Sequence, residues 1–487
     1  MSVLCFDFGA SGGRAMLADF DSEKITLREV HRFKNRSVQV NDTLYWDILS
    51  LYSEVKTGLV KACRESDFIS IGIDTWGVDY GLIDSNGQLM GNPVQYRDSR
   101  TSGLLGKVQN SFGIERLYGL TGIQVMEINT VFQLTAEQRD SFYKLENASA
   151  MLNIPDLLAY MLTGEISSEM SISSTTQLFS PKTLDWIDKI QNLGFPENIF
   201  RKIVKAGESK GFLLESICTE LDIPSKEVVA VCGHDTQCAS FAVPAEEKDF
   251  IFLSSGTWSL LGTVLDKPVI SKKAYELGLS NEVGYGGKIN LLKNITGLWL
   301  VQETKAFLES RGQNYTFAEL ETLARNSEFT AYIDTDSEVF SKAGNIPERI
   351  RFYCRETGQP VPKSTGDVMR VIYLSLAMKY RYACEQISSI TNKNYNKIYM
   401  VGGGTKDSLL CQITADVCGM EVSAGPVEAT AIGNASVQLI KCGKISSPED
   451  LPRIIRKSDT VKIYTPMENY DREYEEYKKI LLLKGVF

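Results

Sequence analysis

The residues best suited to chemistry form the tetrapeptide Gly233-His234-Asp235-Thr236, which follows an apolar run in what is predicted to be a strand-to-helix turn. An ordinary aspartate is ionised at neutral pH, so Asp235 could accept the proton of an alcohol. Gly233 would let a substrate come close, and His234 could bind a neighbouring hydroxyl. The alternative is that Asp235 only caps a helix beginning near Thr236. The tetrapeptide alone leaves both interpretations open.

Three glycine-containing turns, each at the end of an apolar run, are candidates for holding phosphate: residues 10–14, 254–257 and 402–404. Small residues let backbone N–H groups approach phosphate oxygens, and hydroxyls or a cation can meet the remaining lone pairs. Asp7, just before the first turn, could hold Mg²⁺, which prefers oxygen ligands and keeps much of its water. Any one of these turns could be a simple bend, but three of them favour a phosphate site.

Polar and aromatic residues near the ends of predicted strands suit a sugar, because a flat ring covers C–H groups while charged groups meet hydroxyls. These residues are Asp74, Trp76, Asp79, Arg97, Asp98 and Arg100. Ion pairs that tie loops together explain the same residues equally well. Asn294 and Gln302, further along the chain, could reach a binding site or lie on a helix surface.

The first two phosphate candidates are predicted to be hairpin tips. Apolar runs at 3–8 and 14–20 flank the first turn, and a similar pair between Lys248 and Val264 flanks the second. Neither turn opens a helix, as a P-loop or a dinucleotide-binding fingerprint would. The third turn leads into a predicted helix over about 408–417. Matching strand-turn-strand units favour a duplicated architecture with a boundary near Pro244 to Phe250 and a cleft between the halves.

Two further elements follow from periodicity and glycine. Apolar spacing predicts a helix over 48–60, and the stretch before Gly164 predicts a helix that stops there. A Ser/Thr-rich loop is expected after Gly164, and Gly77 marks a bend after a strand. Strands and helices therefore mix along the chain.

Composition narrows the class of protein. The 487 residues carry a formal net charge of −9, which disfavours nucleic acid because phosphate backbones are bound by clustered Lys and Arg. The ten cysteines show no zinc-binding spacing, so reduced thiols are expected. No apolar run approaches the length of a membrane span, and a cytoplasmic enzyme fits best.

The order of the motifs then identifies a resemblance that spans residues 1 to about 465. It rests on "FDFGASGGR", "IDTWGVDYG", "YRDSR", "GHDT", "LSSGTWSL", "LKNITGLWLVQ" and "VGGGTKDSLL". Together these are similar to the FGGY carbohydrate kinases. The resemblance implies an α/β, two-domain, actin-like (ribonuclease-H-like) fold with ATP and sugar in the interdomain cleft. It implies a sugar- and phosphate-binding domain over 1–243 and a nucleotide-binding domain over 244–487.

Site residues follow from the same resemblance. It implies that Asp235 is the general base and that Asp7 lies near Mg²⁺. Nucleotide contacts are implied for Ala10, Ser11, Gly12, Gly13, Arg14, Thr257, Gln302, Gly402, Gly403 and Gly404. Sugar contacts are implied for Gly77, His234, Asp235, Thr236 and Asn294. Gly12 departs from the family pattern, which has a second serine after Ser11, so one hydroxyl contact is missing.

The motif details imply that the substrate is a 6-deoxy ketohexose, L-rhamnulose, phosphorylated at O1 by ATP. L-Fuculose differs only in hydroxyl stereochemistry and stays an alternative. In another class, an actin-like ATPase module that touches no sugar is the second alternative. Neither a nucleic acid nor a membrane is an expected partner.

Overall fold

The computed structural model describes residues 1–188 and 190–483. The chain divides into two compact units. The first comprises residues 1–244, 264–291 and 429–458, and the second comprises residues 245–263, 292–428 and 459–487. Each unit therefore draws on more than one stretch of sequence. A division into contiguous domains at residues 243 and 244 stays a prediction.

Strands and helices are mixed along the chain. The strands are β1 (Ser2–Phe8), β2 (Gly12–Phe20), β3 (Ile25–Lys34), β4 (Ser37–Val40), β5 (Thr43–Trp46), β6 (Ser70–Asp74), β7 (Tyr80–Asp84), β8 (Ala148–Asn153), β9 (Ser168–Glu169), β10 (Phe179–Ser180), β11 (Asp185–Trp186), β12 (Ile203–Val204), β13 (Ser209–Phe212), β14 (Glu227–Val229), β15 (Ile251–Ser255), β16 (Trp258–Leu265), β17 (Ser280–Val283), β18 (Ile289–Thr296), β19 (Lys397–Val401), β20 (Glu421–Ala424) and β21 (Lys462–Tyr464). The helices are α1 (Ile48–Glu65), α2 (Leu104–Ser111), α3 (Ile114–Thr121), α4 (Thr130–Asp140), α5 (Phe142–Asn147), α6 (Ile154–Thr163), α7 (Met170–Ser174), α8 (Glu215–Leu221), α9 (Asp235–Phe241), α10 (Lys272–Glu276), α11 (Trp299–Ser310), α12 (Phe317–Arg325), α13 (Ile346–Glu356), α14 (Thr365–Thr391), α15 (Ser408–Cys418), α16 (Ala429–Lys441), α17 (Leu451–Ser458) and α18 (Asp471–Leu482).

The main sheet of the first unit has the strand order β13-β14-β6-β1-β2-β3. β1 and β2 form the antiparallel hairpin predicted from the glycine turn, with Asp7 opposite Arg14. β1, β6 and β14 are parallel, so their carboxyl ends meet at one edge of the sheet. Side chains that follow these three strands are therefore brought together.

The core of the first unit explains why β1 is apolar on both faces from Val3 to Phe6: every residue of the strand is buried. Helix α1 packs its apolar stripe, including Val55 and Leu59, against Phe6 and Phe8. Its N-terminus is capped by Asp47, whose Oδ1 accepts a hydrogen bond from the Ser50 N–H at 3.1 Å. The predicted helix at 48–60 is confirmed and extends five residues further.

Helix α16 covers β1 and β6 of the same sheet, although it lies far along the chain. Gln438 donates from Nε2 to the Leu4 carbonyl at 3.1 Å and accepts from Ser70 Oγ at 2.7 Å. Gly72 permits this approach, because a Cβ there would lie 2.3 Å from Asn434 Oδ1. The polar face of α16 is thus fitted to the sheet.

The main sheet of the second unit contains strands in the order β18-β16-β15-β19-β20-β21. β15 and β16 are antiparallel, which confirms the second predicted hairpin, and β15, β19 and β20 are parallel. α15 begins at Ser408 as predicted, with Asp407 Oδ1 accepting from the Leu410 N–H at 2.9 Å.

Helix α6 ends at Thr163, as predicted. Gly164, which follows it, has the left-handed conformation. The Ser/Thr-rich stretch after Gly164 was predicted to be a loop. This prediction is wrong in part, because the stretch contains the short helix α7, whose N-terminus is capped by Glu169. All ten cysteines are free thiols. Among the described residues, no helix combines the length and the apolar character that a membrane crossing requires.

Candidate active site

The tetrapeptide 233–236 lies beside the carboxyl end of β6 in the first unit. Thr75 donates its N–H to the Gly233 carbonyl at 2.8 Å, and the Asp235 N–H donates to the Thr75 carbonyl at 2.9 Å. This short parallel bridge continues the pairing of β14 with β6. Because Gly77 follows two residues after Thr75, the predicted sugar contacts Gly77, His234, Asp235 and Thr236 come from adjoining segments.

Asp235 is the first residue of α9, and the N-cap is His234. The alternative that Asp235 is the N-cap of this helix is therefore wrong. Asp235 nevertheless makes a local contact: its Oδ1 accepts from the Thr236 N–H at 2.5 Å and from Thr236 Oγ1 at 3.1 Å. The side chain is 31% exposed, whereas its neighbour His234 is 10% exposed, so a substrate can reach the Asp235 carboxylate.

Three carboxylates follow the three parallel strands: Asp7 on β1, Asp74 on β6 and Asp235 after β14. Asp7 and Asp74 are paired in register, and Arg14 Nη2 donates to Asp7 Oδ2 at 2.7 Å. Burial, followed by repulsion from Asp7, raises the pKa of Asp74 well above its ordinary value. Burial also raises the pKa of Asp235, and repulsion from Asp7 adds to this while His234 lowers it. The carboxyl groups at this edge of the sheet thus repel one another, and a bound cation would relieve that repulsion.

Asp74 is held by helix α16. Asn434 Nδ2 donates to Asp74 Oδ2 at 2.6 Å, and Gln438 Nε2 donates to Asn434 Oδ1 at 2.7 Å. Within the described residues, Asp74 Oδ1 is buried and has no hydrogen-bond partner. An unsatisfied buried carboxylate oxygen is costly, which fits a site that a cation or a proton completes.

His234 is held by Glu282, a residue that the sequence analysis missed. Glu282 lies on β17, is 4% exposed, and places Oε2 2.9 Å from His234 Nδ1. Burial lowers the pKa of His234, but the charges of Glu282 and Asp235 raise it by more, so the net pKa lies above the ordinary value. The sequence feature that could have identified Glu282 is a glutamate within the strand "LSNEV", because glutamate is rarely buried without a partner.

The turn at residues 9–13 is shaped by contacts with strand β3. The Gly9 N–H donates to the Gly12 carbonyl at 2.8 Å, and a Cβ at Gly13 would lie 2.3 Å from the Phe33 ring. A Cβ at Gly12 would lie 2.9 Å from the Phe33 carbonyl oxygen. Only glycine fits both positions, so the departure from serine at Gly12 suits this turn. Ala10 and Arg14 are half-buried, and Ser11 is exposed.

Gly77 lies against helix α7. A Cβ at Gly77 would be 3.2 Å from Thr175, and the Val78 N–H donates to Thr175 Oγ1 at 3.1 Å. The same segment supports His234, whose N–H donates to Ser171 Oγ at 3.4 Å, and the preceding Gly233, whose N–H donates to Glu169 Oε2 at 2.9 Å. The segment predicted to be a loop therefore supports both sugar candidates.

In the second unit, two predicted nucleotide contacts meet: Thr257 Oγ1 donates to Gln302 Oε1 at 3.2 Å. The glycine cluster lies at the end of the neighbouring strand β19. A Cβ at Gly404 would lie 2.0 Å from Ser255 Oγ, whereas one at Gly403 would meet nothing within 4 Å. Gly402 has φ 86° and donates its N–H to the Pro426 carbonyl at 3.1 Å. Asn294 is half-buried on β18.

Several candidates for sugar binding instead have structural partners. Asp79 is buried and accepts hydrogen bonds from Trp46 Nε1 at 2.6 Å and Trp76 Nε1 at 2.9 Å. Arg100 pairs with Glu137 at 2.6 Å, and Asp98 accepts from the Arg100 N–H at 2.8 Å. For these residues the alternative of loop-tying contacts is the better account.

Mg²⁺ was expected near Asp7. In the part of the chain that the structure describes, no three His, Cys, Asp or Glu side chains form a cluster suited to a metal ion. Mg²⁺ does not require such a cluster, because it keeps several waters and takes one or two carboxylates together with phosphate oxygens. The Asp7 carboxylate beside the unsatisfied Asp74 oxygen fits that donor set.

Comparisons with known proteins identify the family of the chain. Residues 2–242 match the N-terminal domain of the FGGY family of carbohydrate kinases, and residues 251–442 match its C-terminal domain. A rhamnulokinase of Bacteroides thetaiotaomicron is 38% identical over 97% of this chain and 98% of its own. A rhamnulokinase of Halalkalibacterium halodurans is 39% identical over 96% of this chain and 99% of its own.

Solved structures share the fold. The ligand-bound xylulose kinase of Lactobacillus acidophilus superposes with a TM-score of 0.77 at 15% identity, covering 99% of this chain and 96% of its own. The Plasmodium falciparum glycerol kinase with ADP gives a TM-score of 0.75 at 16% identity, covering 99% and 97%. The predicted two-domain α/β kinase fold is confirmed. The chain belongs to the FGGY family of carbohydrate kinases.

Proposed function

We propose that this protein transfers the γ-phosphoryl group of ATP to O1 of L-rhamnulose, giving L-rhamnulose 1-phosphate in L-rhamnose breakdown. The observation that carries the proposal is the match, over nearly the whole chain, to relatives that bear the name rhamnulokinase. The cytoplasm is the compartment we expect for such a metabolic kinase.

In the proposed reaction Asp235 accepts the proton of the sugar O1 hydroxyl. The O–H bond of the sugar breaks as O1 bonds to the γ-phosphorus, and the bond from that phosphorus to the ADP oxygen breaks. Support comes from the partly exposed carboxylate at the start of α9, next to His234 and Thr236. Gly77, His234, Thr236 and Asn294 are the proposed contacts to sugar hydroxyls.

For the nucleotide, we propose contacts from the turn at residues 10–14, from Thr257 and Gln302, and from Gly402, Gly403 and Gly404. Backbone N–H groups and the Arg14 guanidinium suit phosphate oxygens. Asp7 would hold Mg²⁺, which when bound neutralises charge on the phosphates. The protein's own part is to position the phosphates and to exclude water.

The test is turnover by purified protein with ATP and either L-rhamnulose or L-fuculose. We expect a clear preference in kcat/KM for L-rhamnulose, and Asp235→Asn should lower kcat by about 10³-fold because proton acceptance is lost. ADP binding, measured by calorimetry, should stay unchanged in that variant. Asp222→Asn, at an exposed helix end, is the matched control.

Near-normal turnover by Asp235→Asn would refute the role of Asp235 while leaving the kinase assignment intact. A preference for L-fuculose would replace the substrate. ATP hydrolysis that ignores both ketoses would instead favour the actin-like ATPase module.

A further inference from the structure

The contact between Glu282 and His234 has a fixed hydrogen-bond direction. An ionised carboxylate can only accept, so His234 Nδ1 must carry a hydrogen and donate it to Glu282 Oε2 across 2.9 Å. Gln237 Nε2 donates to the same oxygen at 2.7 Å. The ring of His234 is thereby held in one orientation by a buried group.

The second ring nitrogen faces the proposed base. His234 Nε2 lies 3.4 Å from Asp235 Oδ1. In a neutral ring whose hydrogen is on Nδ1, Nε2 would turn a lone pair toward a carboxylate oxygen, which is repulsive. A protonated ring instead places a positive charge next to that oxygen, which is attractive. The geometry therefore favours an imidazolium between Glu282 and Asp235.

The charges that face this ring come from three elements and share one sign. Glu282 is on β17, Glu169 precedes α7, and Asp235 is on the ring's own helix, α9. Each of them raises the pKa of His234 against the opposing effect of burial. Asp235 in turn faces Asp7 on β1 and Asp74 on β6. A positive His234 is thus the counter-charge that opposes the carboxylates around the base.

The scaffold behind Glu282 is a chain of hydrogen bonds. Asn290 Nδ2 contacts Gln237 Oε1, which leaves the Gln237 amide nitrogen for Glu282. The Val283 N–H donates to Ser174 Oγ at 3.0 Å, which fixes β17 against α7. A buried network with each member partnered holds its groups rigidly.

We propose that Glu282 is a positioning residue of the phosphoryl transfer: it holds His234 protonated, with the charged ring 3.4 Å from Asp235 Oδ1, so that Asp235 stays ionised until it takes the sugar proton. The proposal rests on the proposed function of Asp235. In the step itself His234 keeps both its protons, the proton from O1 moves to Asp235, and Asp235 then releases it to water.

The direct test is an NMR titration of the histidine rings in the full-length protein without ATP or sugar. The chain has only two histidines. The signal that disappears in His31→Gln belongs to His31, and the remaining signal belongs to His234. Wild-type His234 should titrate above the ordinary pKa of about 6.5. Glu282→Gln keeps an acceptor for Nδ1 but removes the charge, and should lower that pKa by about one pH unit or more.

Two matched variants sharpen the titration. Glu282→Asp keeps the charge and should keep most of the elevation. Glu137→Gln makes the same chemical change at another buried glutamate of the first unit, one that pairs with Arg100, and should leave His234 unchanged. An equal shift in Glu137→Gln and Glu282→Gln would overturn the proposal.

The kinetic readout is the pH profile of kcat/KM for the ketose. The proposal requires that deprotonation of His234 sets the alkaline limb of this profile, so Glu282→Gln should move that limb to lower pH by the same interval seen in the titration. An unmoved limb with a shifted titration would overturn the catalytic part. If the protein turns over no ketose, that result refutes the proposed function, and it is separate from the result of the titration. A wild-type His234 that titrates below the ordinary value overturns the inference without any variant.

Discussion

The two main hairpins, one in each unit, have the same backbone plan, but one tip carries charged side chains and the other does not. At the tip of β1–β2, Asp7 is paired with Arg14, and the neighbouring parallel strand puts Asp74 beside Asp7. The corresponding positions of β15–β16 and its parallel neighbour are uncharged: Ser254, Leu260 and Val401. The repeated fold thus supplies similar backbone N–H groups in both units. The side chains differ, and the ionisable ones lie at the tip of β1–β2.

The largest difference between the tips should appear when charge is removed. Arg14→Leu gives the first tip the residue found at the second, and leaves Asp7 without its 2.7 Å partner. We expect kcat/KM for ATP to fall by about 10²- to 10³-fold, since a preorganised charged donor is lost. Thr257→Val, which removes only a neutral hydroxyl near Gln302, should cost about tenfold. Steady-state kinetics with varied ATP measures both, and equal losses would contradict the comparison.

A smaller effect should come from the glycines that close the second tip. Gly404→Ala forces a Cβ to within 2.0 Å of Ser255 Oγ, while Gly403→Ala meets nothing within 4 Å. Overpacking of this kind costs about 1 to 3 kcal/mol of unfolding free energy, and the open position should cost less than about 0.5 kcal/mol. Urea titration of the two variants checks this pair. A Gly403→Ala variant as unstable as Gly404→Ala would mean that space is not the cause.

The smallest predicted effect concerns Asp74, the buried carboxyl group that has no counterpart at the second tip. Its raised pKa means that the folded state holds the proton more tightly than the unfolded state. The resulting stability is present below the ordinary pKa of about 3.9 and is lost as the pH rises through the raised value. Asp74→Asn should therefore match the wild type in acid and exceed it at neutral pH by about 1 kcal/mol. Urea titrations from pH 5 to 8 in the presence of a metal chelator should show this widening gap.

Local patterns predicted the parts of the fold that depend on neighbouring residues. Glycine between apolar runs was enough to place both hairpins, and Gly164 was enough to end α6, because a left-handed turn or a tight bend is a local requirement. The helix at residue 408 was equally local, since Asp407 caps it.

Contacts between distant residues could not be predicted in this way. Glu282 meets His234 across 48 positions, and Asn434 meets Asp74 across 360. Neither pairing follows from periodicity or turn chemistry, because each depends on where the chain returns in three dimensions. The resemblance of motifs supplied Asp235 as the proposed base, but not Glu282 and Asn434, whose contacts with His234 and Asp74 the structure shows.

Helix α16 has a consequence for biosynthesis. A ribosome that has translated residues 1–244 has made every strand of the first main sheet, yet Leu4, Ser70 and Asp74 still lack the partners that Asn434 and Gln438 supply. Translation of residues 245–441 must intervene, which takes roughly 10 to 40 seconds at cellular elongation rates. During that interval the nascent chain carries an uncovered sheet face, so only a nearly finished polypeptide can mature into a working enzyme.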